Sequence, residues 1–257
     1  MTIPWRCGLF ALSLIVLAPA VWHVIVALPA FGNPTEQYGA AVNLLLPGAR
    51  HVTNMVAAVN FDVRGFDTLG EECMLVCAVT GTVVLLRGTR GENMSEGAGR
   101  LPGRAIVGRS DATVLVCRAA ATLTLLFGVY MALHGMLTPG GGFQGGAIAG
   151  SSLMLLYLGE GYEAWRRIVR GRMLGALEGG GAFLFVAAAA VPLLLGHSSL
   201  ENILPYGAPK DLFSGGLMVI VNFAVGLSVA GSFGLLLLEF MEETRSAASD
   251  SMPGEED

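Results

Sequence analysis

This 257-residue chain contains a single lysine, Lys210, and only 14% of its residues are charged. So little charge excludes a solvated, charge-rich surface, a disordered polyelectrolyte and any basic face suited to nucleic acid. Cysteine is also scarce. Cys7, Cys73, Cys77 and Cys117 all lie in apolar runs, and none forms the C-x-x-C pair that zinc and redox sites favour. Packing is their bland reading, although Cys73 and Cys77, four apart, would share a helix face on which a metal or a disulfide could form. Present in quantity are apolar residues, at 53% with a mean hydropathy of +0.63, which place the chain in a bilayer. The net charge of -5 is local, because the last nineteen residues hold seven acids and one arginine.

A membrane span needs about 20 mainly apolar residues. Six runs reach or approach that length, at 7–31, 68–86, 112–137, 143–158, 173–195 and 215–238. The expected fold is an all-α integral membrane protein with six transmembrane helices. The fourth run is the shortest and opens on a glycine string that forms helix poorly. The first could be a signal peptide, since Ala18-Pro19-Ala20 resembles a cleavage site. The apolar stretch nevertheless continues unbroken to Val26, so a retained anchor is the better reading. With six spans, eleven positive residues fall on the side of the two termini and three on the other. That bias predicts cytoplasmic N and C termini.

The polar stretch 88–109 reads as a cytoplasmic linker. It divides the chain into a two-helix module, 1–99, and a four-helix module, 110–241, followed by an acidic tail, 242–257, expected to be disordered.

Two strings are more specific than composition. Residues 133–146 read LHGMLTPGGGFQGG and are followed by FSGG at 213–216, Asn222 and VGLSVA at 225–230. This module resembles the B subunit of Mrp-type multisubunit sodium/proton antiporters, the MnhB domain. Residues 59–71, VNFDVRGFDTLGE, resemble the C-terminal part of the antiporter A subunit, which is the E subunit of hydrogen-evolving membrane-bound hydrogenases. The resemblance implies a membrane subunit of a sodium/proton antiporter complex, contributing to its sodium-handling part and its assembly. Its partners would be A-, C- and D-like membrane subunits and lipid, in a bacterial-type inner membrane. Sodium and protons would be cargo, with no resident cofactor, no metal centre and no enzymatic activity. The alternative is a membrane anchor in a hydrogenase or a similar redox complex. The large A and D subunits of that family carry the pumping relay, so this chain is not expected to transport ions alone.

Ionisable groups inside a span cost from about 2.5 to well over 10 kcal/mol, which makes each a functional candidate. Arg118 is seven residues past Asp111 and Glu178 six past Arg172, so both would sit roughly 10 Å inside the cytoplasmic surface. Equal depth and opposite sign suggest a buried Arg118/Glu178 pair, against the reading that each snorkels separately. Glu71 closes the motif of the A-subunit resemblance, which makes it the leading ion-linked carboxylate, since a carboxylate in a low-dielectric site can exchange a proton for sodium. The bland alternative is a helix N-terminal acid stabilised by the dipole. Glu72 would point about 100° away around the helix and is the weaker candidate. Asp62 and Asp67 could orient Glu71 or line an access path, and His134 could titrate near neutral pH. In the glycine string, Pro139 ends or kinks a helix. Gly140, Gly141, Gly142, Phe143, Gly145 and Gly146 then allow close helix approach, or a broken backbone facing a neighbouring chain or an ion path.

Overall fold

A computed structural model describes residues 3–28, 37–94 and 110–250, and among these it is helical throughout, with no strand. It divides into two units, Met1–Ala41 and Val42–Asp257. The first holds α1, Ile3–Ala27, with Pro19 inside it and apolar side chains such as Ile15 and Trp22 exposed along its length. Helix α2, Gln37–Arg50, begins in the first unit and ends in the second.

The second unit is a multi-pass membrane bundle. After α3, Met55–Ala58, the chain makes one π turn at Val59–Val63 and continues into α4, Gly65–Met94. The bundle is completed by α5, Asp111–Leu133; α6, Gly142–Glu160; the short α7, Tyr162–Ile168; α8, Gly171–Leu194; and α9, Leu217–Asp250. Helix α9 is the hub, packing against α4, α6 and α8, while α5 lies mainly on α6.

Four stretches among the described residues are long and apolar enough to cross a membrane: Gly65–Arg87, Asp111–Leu133, Gly171–Leu194 and Leu217–Glu242. Two of the six expected runs fall outside that set. The apolar part of α1, Ala11–Ala27, is shorter, and α6 is diluted by five glycines, two serines, a glutamine and a glutamate. Other boundaries also move. The third run stops at Leu133, because residues 134–138 form a turn ahead of Pro139. The expected linker is helical as far as Met94, the rest of it lying outside the described residues. The acidic tail, expected to be disordered from 242, instead continues α9 to Asp250, and 251–257 lie outside the described residues. Alanine, glutamate and arginine in that segment sustain a helix already begun in the bundle.

The glycine string explains how α6 enters the bundle. Gly140 and Gly141 adopt φ of 137° and 141°, a region that L side chains avoid. A Cβ on Gly142 would collide with the backbone carbonyl of Asn222, one on Gly145 would lie 2.6 Å from Ala132 N, and one on Gly146 2.7 Å from Gly226 O. Backbone therefore packs on backbone between α6 and its neighbours α5 and α9, the arrangement small residues permit in membranes.

Apolar packing is concentrated at two levels. Phe61, Met136, Phe185, Met218, Val221 and Val225 anchor one cluster. Val79, Trp165, Leu174 and Leu238 anchor the other.

Candidate functional site

Three asparagines tie down the ends of the broken helices. Asn54 caps α3, accepting from Val56 N at 3.1 Å, and donates to Gly135 O at 2.7 Å and Thr138 O at 2.9 Å. Asn222 donates to Ala132 O at 2.6 Å and accepts from Gly142 N at 2.7 Å. Asn202 donates to Gly215 O at 2.8 Å and accepts from Leu217 N at 3.0 Å. Each satisfies backbone groups that a helix end leaves free, as a low-dielectric interior requires. Phe143 packs at the edge of the adjoining apolar cluster, and the glycine string is thus a packing seam held by side-chain amides.

At the α2/α4 end lies a group of ion pairs. Arg50 donates from Nε to Asp62 Oδ2 at 2.6 Å and sits 5.4 Å from the Tyr206 ring centroid. The hydrogen bond to Asp62 raises the Arg50 pKa, and burial raises that of Tyr206. Arg64 pairs with Asp67, both exposed. His51 Nδ1 is hydrogen-bonded to Gly207 O. Three further pairs mark the opposite end: Arg87 with Glu239 at 2.6 Å, Arg118 with Glu160, and Arg166 with Glu242 at 3.1 Å.

The expected Arg118/Glu178 pair does not form. Arg118 lies on the exposed face of α5 and reaches Glu160 at the end of α6, with Nη2 3.0 Å from Oε2. Glu178 instead points inward and accepts from the Ser232 hydroxyl at 2.8 Å. Similar spacing from their helix starts does not bring the two together, because Arg118 is exposed on α5 whereas Glu178 is buried against α9. Glu71 is exposed and Glu72, its neighbour, is 1% exposed. The buried stripe of α4 runs through Thr68, Glu72 and Val79, with Leu75 packed beside it. Its spacing of four, three and four was readable as a helix face, and it excludes Glu71. His134 caps α5, stacked 3.9 Å from the Tyr130 ring with Nδ1 3.1 Å from Tyr130 O.

Sequence reasoning also passed over the serines. Ser228 and Ser232 on α9 are fully buried, one turn apart, within and just past a VGLSVA string whose only signal was its resemblance. Neither oxygen of Glu72, nor Oγ of Ser228, has a hydrogen-bond partner. Among the described residues no group of three or more His, Cys, Asp or Glu is placed to hold a metal ion.

The fold of the described residues defines a class, the all-helical multi-pass membrane protein. Within it, residues 112–235 match the family model for a domain related to the MnhB subunit of Na+/H+ antiporters. The chain is 29% identical over 194 residues to the uncharacterized protein MJ1307 of Methanocaldococcus jannaschii, covering 69% of this chain and 73% of that protein. It is 38% identical over 74 residues to the B subunit of the Na(+)/H(+) antiporter of Bacillus subtilis, covering 25% of this chain and 52% of that one. It therefore spans about half the length of that relative. Among solved structures, a chain of the membrane-bound sulfane sulfur reductase, an archaeal respiratory membrane complex, matches with a TM-score of 0.65 and 26% identity. That match covers 93% of this chain and 99% of that one. The Mrp complex from Dietzia sp. DQ12-45-1b matches in fold, with a TM-score of 0.67 at 20% identity, over 98% of this chain and 27% of that one. Arg118, His134, the glycine string, Glu178 and both serines lie within the matched family segment, whereas Asp62, Asp67, Glu71 and Glu72 precede it.

Proposed function

We propose that this chain is a membrane subunit of a multisubunit Na+/H+ antiporter complex. The observation that carries this reading is the match of residues 112–235 to the MnhB-related family model, within a bundle whose ion pairs lie largely at its two ends. The reading includes six spans with both termini cytoplasmic. On this reading the Arg87, Arg118 and Arg166 pairs belong to the cytoplasmic end and the Arg50 and Arg64 pairs to the outer end, in keeping with the positive-inside bias. Its partners are A-, C- and D-like subunits in a bacterial-type plasma membrane, and sodium and protons are cargo. Glu71, exposed beside the Arg64–Asp67 pair, is the ion-linked carboxylate offered to a neighbouring chain of the assembly, with Asp62, Asp67 and His134 on the same outer side.

The test uses inverted membrane vesicles from cells expressing the whole complex. Sodium added to energised vesicles should collapse part of the proton gradient, and vesicles lacking only this chain should not respond. Undiminished sodium-driven proton movement without the chain would overturn the reading.

A second reading is supported by the nearly end-to-end match to the sulfane sulfur reductase chain: a membrane module of a redox-driven complex. In that case iron-sulfur proteins would co-purify with the chain.

A further inference from the structure

Between α5, α6 and α8 the bundle surface folds inward as an apolar cleft of about 350 Å³. Ala121 and Leu125 of α5, Leu153 and Leu156 of α6, Ile168 at the end of α7 and Met173 of α8 line it. Leu125, Ile168 and Met173 are exposed, so the cleft opens on the outside of the bundle. The two hydroxyls in its wall are already engaged: Thr122 Oγ1 donates to Arg118 O at 3.0 Å and Ser152 Oγ to Ala149 O at 2.6 Å. The wall therefore offers no free hydroxyl proton, which suits a hydrocarbon occupant and disfavours a polar solute.

The cleft is as deep as one leaflet. On α6 its lining begins at Leu156, four residues before Glu160, and ends at Ala149, eleven before it. At about 1.5 Å per residue that stretch reaches about 16 Å in from Glu160. Half of a hydrocarbon core of about 30 Å is about 15 Å. On α9 the lining residue, Ala230, stands twelve residues before Glu242, a depth of about 18 Å.

The shallow end of the cleft is cationic. Arg167 directly precedes Ile168, Arg172 directly precedes Met173, and Arg170 stands between them. All three arginines are exposed, and none has a carboxylate partner among the described residues. Arg166, by contrast, is held by Glu242, and Arg118, three residues before Ala121, by Glu160. Arginine at this end of the spans is what orientation alone would place there. These three differ in being unpaired and in adjoining a leaflet-deep apolar cleft. An arginine keeps its stem on apolar surface while its guanidinium reaches headgroup level, where its planar fork matches a phosphate.

We propose that this cleft is a binding site for an anionic phospholipid of the leaflet at this end of the bundle. One acyl chain lies between Leu125, Leu153 and Met173, and Arg167, Arg170 and Arg172 hold the phosphate. A helix of another chain would cover the apolar wall and bring no anion, and a free phosphate would use the arginines and leave the cleft unfilled. A phospholipid carries both parts in one molecule, with a chain that spans one leaflet, and basic pockets beside membrane helices select such headgroups. The site does not depend on which ion the assembly carries.

The test uses the native assembly in phosphatidylcholine nanodiscs and two probes with the same photoactivatable acyl chain, one a phosphatidylglycerol and the other a phosphatidylcholine. The phosphatidylglycerol probe should label residues 121–125 and 149–156 about fivefold or more above the other, the weight of a single arginine near an anionic headgroup. In the triple variant Arg167→Gln, Arg170→Gln, Arg172→Gln the two probes should label equally. Arg172→Gln alone should lower the ratio in part, which keeps the test open if the triple variant assembles poorly on native gels. Thr122→Phe, an exposed substitution that fills the cleft and spares the arginines, should lower labelling by both probes. Inorganic phosphate at matched ionic strength should leave the labelling unchanged. Equal labelling of the wild type, a ratio that survives loss of the arginines, or displacement of the probe by phosphate would each overturn the site. So would a cleft that neither probe labels, which would show that a neighbouring chain lies on it.

Discussion

Asn222 reaches across the break between α5 and α6 and accepts the backbone N–H of Gly142 at 2.7 Å, while its amide nitrogen donates to Ala132 O at 2.6 Å. One side chain therefore gives a further donor to a carbonyl at the end of one helix, which also accepts from Gly135 N at 3.3 Å, and satisfies a free N–H at the start of the next. Bilayer interiors provide no other partner for such groups.

Asn222→Ala should accordingly destabilise the bundle by about 1–3 kcal/mol, chiefly through the Gly142 N–H it leaves unpaired. A lowered midpoint in detergent thermal unfolding would register it. An unchanged midpoint would mean that the break is held by the glycine packing alone.

The glycines divide by what surrounds them. Gly142→Ala and Gly145→Ala would drive a methyl group into the backbone of α9 or α5 and should cost at least about 1–3 kcal/mol, with loss of assembly. Gly179 and Gly180 have open space where a Cβ would stand, so Gly179→Ala and Gly180→Ala should be neutral or stabilising, by up to about 1 kcal/mol from helix propensity. Only Gly181 of that run is in close approach, to Ala224 and Ser228 of α9. Parallel unfolding measurements of the four variants should separate into two groups.

These contrasts indicate what a sequence can express. The apolar runs and the glycine string announced the bundle and its seam, because both are properties of composition along one helix. Which residue of a pair such as Glu71 and Glu72 turns inward depends on the rotational phase of α4, and that phase follows from where α9 lies. The Thr68-Glu72-Val79 spacing carried it, but the A-subunit resemblance drew weight toward Glu71. The partner of Arg118 was less accessible still. Glu160 ends α6, forty-two residues away, and no local periodicity joins the two. Helices α2 and α7 escaped notice because neither is long or apolar enough to register as a span.

The Arg118–Glu160 contact is open to a charge-swap experiment. Glu160→Arg should weaken complex assembly, and adding Arg118→Glu should restore it in part, although with Arg118 exposed the coupling is small, about 0.2–1 kcal/mol. Pairing Arg118→Glu with Glu178→Arg should give no rescue, since Glu178 is bonded to Ser232 and not to Arg118. Rescue by that second combination, read as recovered complex on native gels, would show the geometry at this end of the bundle to be wrong.

Glu71 permits a test specific to the proposed exchange. Glu71→Gln leaves the packing of this chain untouched, because the side chain is exposed, so the complex should assemble normally. If the carboxylate serves ion exchange where two chains of the complex meet, sodium-driven proton movement in vesicles should fall strongly. Wild-type exchange by an intact Glu71→Gln complex would return Glu71 to the role of a helix N-terminal acid.

The loop between α8 and α9 should respond to acid. Glu201 accepts from the backbone N–H of Ser198 at 2.8 Å and lies 3.0 Å from His197 Nδ1, and these contacts lower its pKa. A carboxyl depressed in the folded state adds stability that is present above its unfolded value, about 4.3, and lost as pH falls through the folded one. Amide protection around residues 196–204, corrected for intrinsic exchange, should therefore hold at neutral pH and drop only below the ordinary carboxylate range. In Glu201→Gln the protection should be lower at neutral pH and lack the acid step. An acid step that survives the substitution would assign the transition to another carboxylate, the nearest on this loop being Asp211.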